Sequence, residues 1–189
     1  GLKKAIIVMY MAILRFVLIP FIMISIIFNQ IGEKNTTILP QYLTMALEKL
    51  TDLRYGENPH QQAAIYKKRK EPKKNLNQLH GKELSYNNYL DIDAAIAIVS
   101  EFQLPGAVII KHTNPCGAAV GDSLDIAYRR AYEADTISAF GSIVGLNRVV
   151  DIKTAKELSQ TFIEVIVAPR FDSEAKAMLS KKVNLSLIE

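Results

Sequence analysis

The stretch Gly106-Ala107-Val108-Ile109-Ile110-Lys111-His112-Thr113-Asn114-Pro115-Cys116-Gly117 decides the fold of this chain. Its apolar residues 107–110 lie between Pro105 and a polar, proline-containing turn, which is typical of a fully buried parallel strand. Ligands of open α/β sheets bind outside the carboxyl ends of such strands. The sequence therefore places Lys111 and His112 where they can act on a ligand, although a lysine and a histidine that end a strand can equally be solvated and carry no function.

Helix and strand patterns alternate on both sides of this stretch. The spacing of apolar residues predicts helices over 90–102, 122–133, 151–161 and 172–181, with Asp91, Asp122, Asp151 and Asp172 near their starts, and strands over 107–111, 143–146, 165–168 and 183–188. This alternation predicts an α/β fold in which helices cover both faces of a mostly parallel sheet.

The composition bears on whether the chain binds nucleic acid and on the cell compartment in which it lies. The 189 residues carry a formal net charge of +4, and many of the cations lie in one patch at residues 67–74. Glu71-Pro72 interrupts the patch and no aromatic residue is interleaved with it, so we interpret it as a solvated loop and not as a nucleic-acid site. The single cysteine, Cys116, excludes an internal disulfide and favours a cytoplasmic location.

The beginning of the chain differs from the rest. Residues 5–28 are almost continuously apolar, with Arg15 the only charged residue, and the run is long enough to span a bilayer. Three interpretations stay open: a segment that is not part of the fold, a real membrane helix, or a buried core helix. We divide the chain into this apolar segment at 1–31, a linker and lead-in at 32–52, and a folded region at 53–189.

Five motifs, in this order and at these spacings, carry a resemblance to a known family. They are LRYGENPHQ at 53–61, QLHGKELSYNN at 78–88, KHTNPCG at 111–117, ADTISAFG at 134–141 and FIEVIVAP at 162–169. The chain resembles the AICAR transformylase domain of the bifunctional purine biosynthesis proteins, which also carry IMP cyclohydrolase. The resemblance runs from about residue 40 to 189, which makes residues 53–189 the first half of that domain, and no cyclohydrolase sequence is recognisable.

This resemblance implies a fold, a reaction and its partners. The fold would be three-layered and cytidine-deaminase-like. The reaction would transfer a formyl group from 10-formyltetrahydrofolate to the 5-amino group of the nucleotide AICAR, in active sites formed across a homodimer. His112 would accept the proton of the amine, because imidazole is the side chain that titrates nearest neutral pH, and Lys111 would stabilise the developing oxyanion.

Neighbouring side chains on an ideal strand point to opposite faces of the sheet. Lys111 and His112 can therefore reach one substrate only if the chain leaves the strand at this point, and Pro115 and Gly117 predict that departure. By the same resemblance the nucleotide would be held by Arg54, Tyr55, Asn88, Ser138, Phe140 and Gly141. Ser142 departs from the family pattern, which has a second glycine there.

Two other chemistries fit the sequence poorly. Pro115-Cys116 is similar to part of a zinc-deaminase motif, but the second cysteine and the His-x-Glu are missing, so no metal is expected. A nucleophilic pair of Cys116 and His112 lacks an identifiable orienting partner. Three hypotheses for the whole chain stay open: a formyltransferase, a truncated AICAR-binding fragment without turnover, and a membrane-anchored remnant.

Overall fold

A computed structural model describes residues 46–68 and 76–189. The apolar segment at 1–31, most of the linker and part of the basic patch lie outside these residues. The described strands are β1 (Leu47–Asp52), β2 (Ala64–Lys68), β3 (Gln78–His80), β4 (Gly106–Lys111), β5 (Asn114–Val120), β6 (Ser142–Leu146), β7 (Ile163–Val167) and β8 (Ser186–Ile188). The described helices are α1 (Tyr86–Val99), α2 (Leu124–Ala134), α3 (Ile152–Ser159) and α4 (Ser173–Leu179). None of these helices is long and apolar enough to cross a membrane.

A six-stranded mixed sheet with the order β3-β8-β7-β6-β4-β5 forms the centre of the fold, and β1 and β2 form a separate antiparallel pair. The sequence predicts that the lead-in before residue 53 is a short helix, and this is wrong, because residues 47–52 form β1 and pair with β2. Strands β6, β7 and β8 run parallel to one another. Helix α1 packs on one face of the sheet, and α2, α3 and α4 pack on the other. The predicted α/β class with three layers is confirmed. The sheet expected to be mostly parallel is mixed, with parallel pairing of β6 with β7 and of β7 with β8 and antiparallel pairing of the other neighbours.

The direction predicted for the strand at 107–111 is wrong. β4 is antiparallel to both of its neighbours, with Ala107 opposite Ala119 in β5 and opposite Leu146 in β6. The cause is the two-residue turn at His112 and Thr113, whose φ angles of 53° and 63° are those of a type I′ hairpin. Such a turn returns the chain directly beside β4, so the parallel part of the sheet begins only at β6.

The sequence does not predict strand β5, because Pro115 and Gly117 fit poorly in a central strand. Pro115 is tolerated because β5 is an edge strand of the sheet, where a missing backbone donor costs no ladder hydrogen bond. Gly117 lies against the backbone of α2, where a side chain would not fit. Pro115 and Gly117 therefore belong to an edge strand that packs against α2. The chain leaves β4 at the turn before them, at His112 and Thr113.

The predicted helices are present, but two of them start at other residues. Helix α2 begins at Leu124, with Ser123 and not Asp122 at the N-cap position. Asp151 caps α3 as predicted, its side chain accepting from the backbone N–H of Thr154 at 2.7 Å. Helix α1 begins at Tyr86 and not at Asp91, because Ser85 and Asn88 form a capping box one turn earlier. Asp91 therefore lies inside α1 and does not cap it.

The core holds β4 in place from both faces. On one face, Ile92, Ala95 and Val99 of α1 pack with Val108 and Ile110. On the other face, residues of α2 and α3 pack with the alternate side chains of β4. Because both faces are buried, the carboxyl end of β4 is a rigid platform for the residues that follow it.

The buried carboxylate of Asp125 links α2 to Lys153 of α3. Asp125 at the start of α2 is 4% exposed, and its carboxylate accepts from Ser123 Oγ at 2.5 Å and pairs with Lys153 Nζ at 3.0 Å. Burial alone would raise the pKa of Asp125, but these hydrogen bonds and the lysine charge outweigh it and lower the pKa. A lowered pKa stabilises the fold above the unfolded carboxyl's pKa of about 4, and this stabilisation is lost as the pH falls through the folded value.

We therefore expect Asp125→Asn to lower the free energy of unfolding at neutral pH by about 1–3 kcal/mol, the size of a hydrogen bond to a charged group. The gap between variant and parent should close towards low pH. Urea unfolding at pH values on both sides of about 4 measures it. Glu157→Gln, which breaks an exposed pair with Arg129, is the control and should change stability less. An equal deficit at both pH values would contradict the account.

Candidate functional site

Lys111 connects two of the sequence motifs. It ends β4, and its Nζ donates to the carbonyl oxygen of Phe140 at 2.7 Å. The Phe140 ring is 64% exposed and stacks against Phe162, with 4.9 Å between the ring centroids. Gly141 has a φ of 70° and donates its N–H to the carbonyl of Phe162 at 2.9 Å. The loop at 138–141 is thereby fixed beside the lysine.

The His112 and Thr113 turn is strained. Neither residue is a glycine, and Thr113 is β-branched, so each positive φ costs about 1–3 kcal/mol. The carbonyl of His112 accepts from Thr113 Oγ1 at 2.7 Å and from Asn114 Nδ2 at 2.9 Å. The backbone N–H of Thr113 donates to Asp91 Oδ1 of α1 at 2.7 Å. Strained backbone of this kind clusters at functional sites, which agrees with the place predicted for His112.

Asp91, which the sequence predicts only to be a helix cap, lies beside the turn at His112 and Thr113, and Glu164 lies near Asp91. Burial raises the pKa of Asp91, and hydrogen bonds from the backbone of Thr113 and His112 oppose that rise. The charge of His112 also lowers the pKa of Asp91, whereas the charge of Glu164 in β7 raises it. Asp91 is thus close enough to His112 and to Glu164 for its charge to interact with each of them. Glu164 belongs to a quoted motif, but only the packing of β7 and α1 shows its proximity to Asp91.

Arg54 and Tyr55 lie at the start of α1. The Arg54 guanidinium donates to Tyr55 Oη at 3.1 Å and lies 4.7 Å from the centroid of the Tyr55 ring. The backbone holds both residues, because Arg54 N donates to Leu84 O and Tyr86 N donates to Tyr55 O, each at 3.1 Å. The exposed guanidinium is thereby oriented before any ligand binds.

Two further predicted residues have structural partners. Asn88 Oδ1 accepts from the backbone N–H of Ser85 at 3.0 Å in the capping box. Ser138 N donates to Asp135 Oδ1 at 2.9 Å, and the hydrogen bonds from Ser138 lower the pKa of Asp135. Ser142 begins β6 and is buried. The ligand-binding roles of Asn88 and Ser138 stay predictions.

The predicted residues lie at one end of the sheet. Lys111 reaches the 138–141 loop, the turn is bound to Asp91 of α1, and Arg54 with Tyr55 is bound to the start of that helix. Because β4 runs against β6, its carboxyl end adjoins the amino ends of β6 and β7. The expectation that Lys111 and His112 follow a parallel strand is therefore wrong, because they lie at the hairpin that joins β4 to its antiparallel neighbour β5.

Comparison with known proteins agrees with the motifs. Residues 22–189 match the family model described as AICARFT/IMPCHase bienzyme. The chain belongs to this family. It is 50% identical over 169 residues to the bifunctional purine biosynthesis protein PurH of Thermoanaerobacter sp., and 54% identical over 168 residues to that of Oceanobacillus iheyensis.

Each of these two matches covers 87% of this chain and 33% of the relative, so the chain spans about a third of the length of the relatives it matches. The family match begins at residue 22, within the apolar run at 5–28. The resemblance stated from the motifs is confirmed, and the division of the chain into three segments stays a prediction.

Cys116 contributes little reactivity to the site of this family member. Its Sγ contacts the carbonyl oxygen of Ile109 at 3.5 Å, and burial raises the pKa of the thiol. A raised pKa keeps the group protonated at neutral pH, where only the thiolate is a nucleophile. Within 46–68 and 76–189, no three His, Cys, Asp or Glu side chains are grouped to hold a metal ion.

Proposed function

We propose that this chain takes part in purine biosynthesis as an AICAR formyltransferase. The observation that carries the proposal is the hydrogen bond between Lys111 Nζ and Phe140 O, which brings the KHTNPCG and ADTISAFG motifs into one site. The family relation supplies the reaction: a formyl group passes from 10-formyltetrahydrofolate to the 5-amino group of AICAR.

The chemistry requires a proton acceptor and a cation. The amine of AICAR is a poor nucleophile, since its lone pair is delocalised into the imidazole ring and the carboxamide. As its nitrogen bonds to the formyl carbon, His112 accepts the proton that the nitrogen loses. Lys111 donates a hydrogen bond to the formyl oxygen, on which negative charge develops. The oxyanion then returns to a carbonyl as the bond from the formyl carbon to the donor nitrogen breaks, and Lys111 gives that nitrogen a proton, which balances the proton that His112 has taken from the amine.

Strand geometry explains how two consecutive residues serve one reaction. Lys111 is the last residue of β4 and His112 is the first of the left-handed turn, so the alternation of side chains across the sheet ends between them. Lys111 is already oriented by Phe140 O, at 2.7 Å. The turn thus allows both side chains to face a common ligand next to the 138–141 loop.

Nucleotide binding is proposed for residues on both sides of the turn. The oriented guanidinium of Arg54 suits the phosphate of AICAR, because arginine binds phosphate through two parallel hydrogen bonds. Tyr55 and Asn88 would contact the nucleotide beside it, and Ser138, Phe140 and Gly141 would lie along the base. The positive φ of Gly141 favours a close backbone approach there.

Donor, partner and location are proposed from the family relation. The formyl donor is 10-formyltetrahydrofolate, and we assign none of the described residues to its ring system. A second copy of the chain is the proposed partner, and the proposed location is the cytoplasm. No metal has a part in this scheme.

Removing the Arg54 guanidinium tests the nucleotide site. We expect Arg54→Ala to weaken AICAR binding about 10- to 100-fold, the range for a lost charge-assisted contact to phosphate. Isothermal titration calorimetry on the full chain measures it. Arg129→Ala, which removes an exposed arginine paired with Glu157 across α2 and α3, is the matched control and should leave the affinity unchanged. Equal affinity of Arg54→Ala and parent would show that Arg54 does not bind the phosphate.

A further inference from the structure

We propose that Asp91 is a positioning residue, whose carboxylate holds the His112 and Thr113 turn and thereby orients His112 and Lys111 towards the reacting groups. The inference rests on the proposed function and extends it to a residue that the motifs did not identify. It is carried by the contact of Asp91 Oδ1 with the Thr113 N–H at 2.7 Å.

The turn needs support from outside itself. Thr113 Oγ1 and Asn114 Nδ2 both donate to the carbonyl of His112, so the side chains of the turn satisfy its carbonyl and not its N–H groups. Those N–H groups are directed to Asp91, with Thr113 as the closer donor and His112 as a second. A left-handed pair without glycine persists only where its surroundings fix it, and Asp91 is the side chain from another element that does so.

The acceptor is itself held rigidly. Asp91 precedes Ile92, which is fully buried and packs with Val108 and Ile110 of β4. The helix that carries the carboxylate is therefore packed on the strand that carries the turn. A displacement of the turn relative to α1 would break the short contact at once.

A charged side chain at this position is not what the fold alone would favour. Asp91 is half-buried, its burial disfavours the carboxylate, and the charge of Glu164 adds to that cost. An asparagine would accept the same N–H without the charge. The carboxylate gains its advantage during the reaction, because it interacts favourably with the His112 imidazole once that ring has accepted the proton of the amine.

The test compares three variants of the full chain by two measurements. Asp91→Ala removes the acceptor, Asp91→Asn keeps an acceptor oxygen without the charge, and Asp93→Asn changes an exposed carboxylate on the same helix. The rate of amide hydrogen exchange at Thr113 measures how well its N–H is protected in the turn, and this measurement does not require an active enzyme. Formyl transfer and AICAR affinity, measured with a relative's second half of the domain present, report the reaction.

We expect Asp91→Ala to speed Thr113 exchange and to slow formyl transfer, each by about 10- to 100-fold, with AICAR affinity within about three-fold of the parent. Asp91→Asn should restore most of the exchange protection and part of the rate. Asp93→Asn should match the parent in both measurements. A purely structural role would not separate the rate from the affinity in this way.

Unchanged Thr113 exchange in Asp91→Ala would overturn the proposal, because the carboxylate would then not hold the turn. Faster exchange with transfer at the parental rate would overturn its role in the reaction. Absence of transfer in the parent would count against the proposed function instead, and the exchange measurement alone would then decide whether Asp91 holds the turn. If Asp91→Ala does not fold, Asp91→Asn takes its place: slower formyl transfer than in the parent, with AICAR affinity and Thr113 exchange close to parental, supports the proposal, and transfer at the parental rate would overturn it.

Discussion

Replacing His112 by alanine is expected to slow formyl transfer by about 10²–10⁴-fold, the contribution of a positioned general base. AICAR affinity should stay within a few-fold of the parent, because the base acts on the transition state more than on the bound ground state. Transfer is measured as tetrahydrofolate formed from 10-formyltetrahydrofolate in single-turnover experiments, and affinity by calorimetry on the same preparations.

The left-handed backbone at position 112 requires a second variant. Alanine tolerates a φ of 53° poorly, so His112→Ala could lose activity by disturbing the turn. Asparagine is enriched in this conformation and cannot accept the proton at neutral pH. We expect His112→Asn to be as slow as His112→Ala. A His112→Asn variant that transfers formyl groups at the parental rate would show that His112 is not the base.

The largest effect on stability is expected from Gly117→Ala. A Cβ at this position would overlap the carbonyl oxygen of Ala131 and lie 2.8 Å from its carbonyl carbon, and both atoms belong to the backbone of α2. Neither can move aside without shifting the helix or the edge strand β5. The variant should lose about 3 kcal/mol or more of its free energy of unfolding, at or beyond the upper end for overpacked cores.

Gly141→Ala is the matched comparison for Gly117→Ala. Its new Cβ would have room, since the nearest side-chain atom is 3.5 Å away, and only the φ of 70° opposes it. A cost of about 1 kcal/mol is expected from the left-handed backbone. Urea unfolding followed by circular dichroism measures both variants. Equal losses in the two would contradict the close packing of β5 against α2.

Local patterns were sufficient to predict most of the helices and buried strands. Asp151 caps its helix as expected, and the apolar runs of β4, β6 and β7 lie within a residue or two of their predicted bounds. These features depend on local hydrogen bonding and on burial, which the order of residues expresses directly.

The direction of β4 relative to β5 depends on the turn at His112 and Thr113, which the sequence does not predict. Type I′ turns are usually Asn-Gly or a similar pair, and His112-Thr113 has neither residue. The N–H of Thr113 donates to Asp91 of α1, a tertiary contact that the local sequence does not show. The antiparallel return of β5 followed from that turn and was missed with it.

The candidate site was predictable in part for the same reason. The motifs named Lys111 and the 138–141 loop, and the structure places them in contact. The motifs do not identify Asp91 as a site residue, because its nearness to His112 and to Glu164 depends on how α1 packs against β4 and β7. The sequence also predicts that Asp91 caps the helix, whereas Ser85 is the N-cap residue in the structure.

The central claim is that the site at the end of β4 transfers a formyl group to AICAR. The most direct measurement is tetrahydrofolate formation from 10-formyltetrahydrofolate by this chain, mixed with the part of a PurH relative that the chain does not cover. We predict turnover that requires both AICAR and this chain and that is lost in His112→Asn. Tight AICAR binding by the mixture without any tetrahydrofolate formation would contradict the claim and leave a nucleotide-binding role alone.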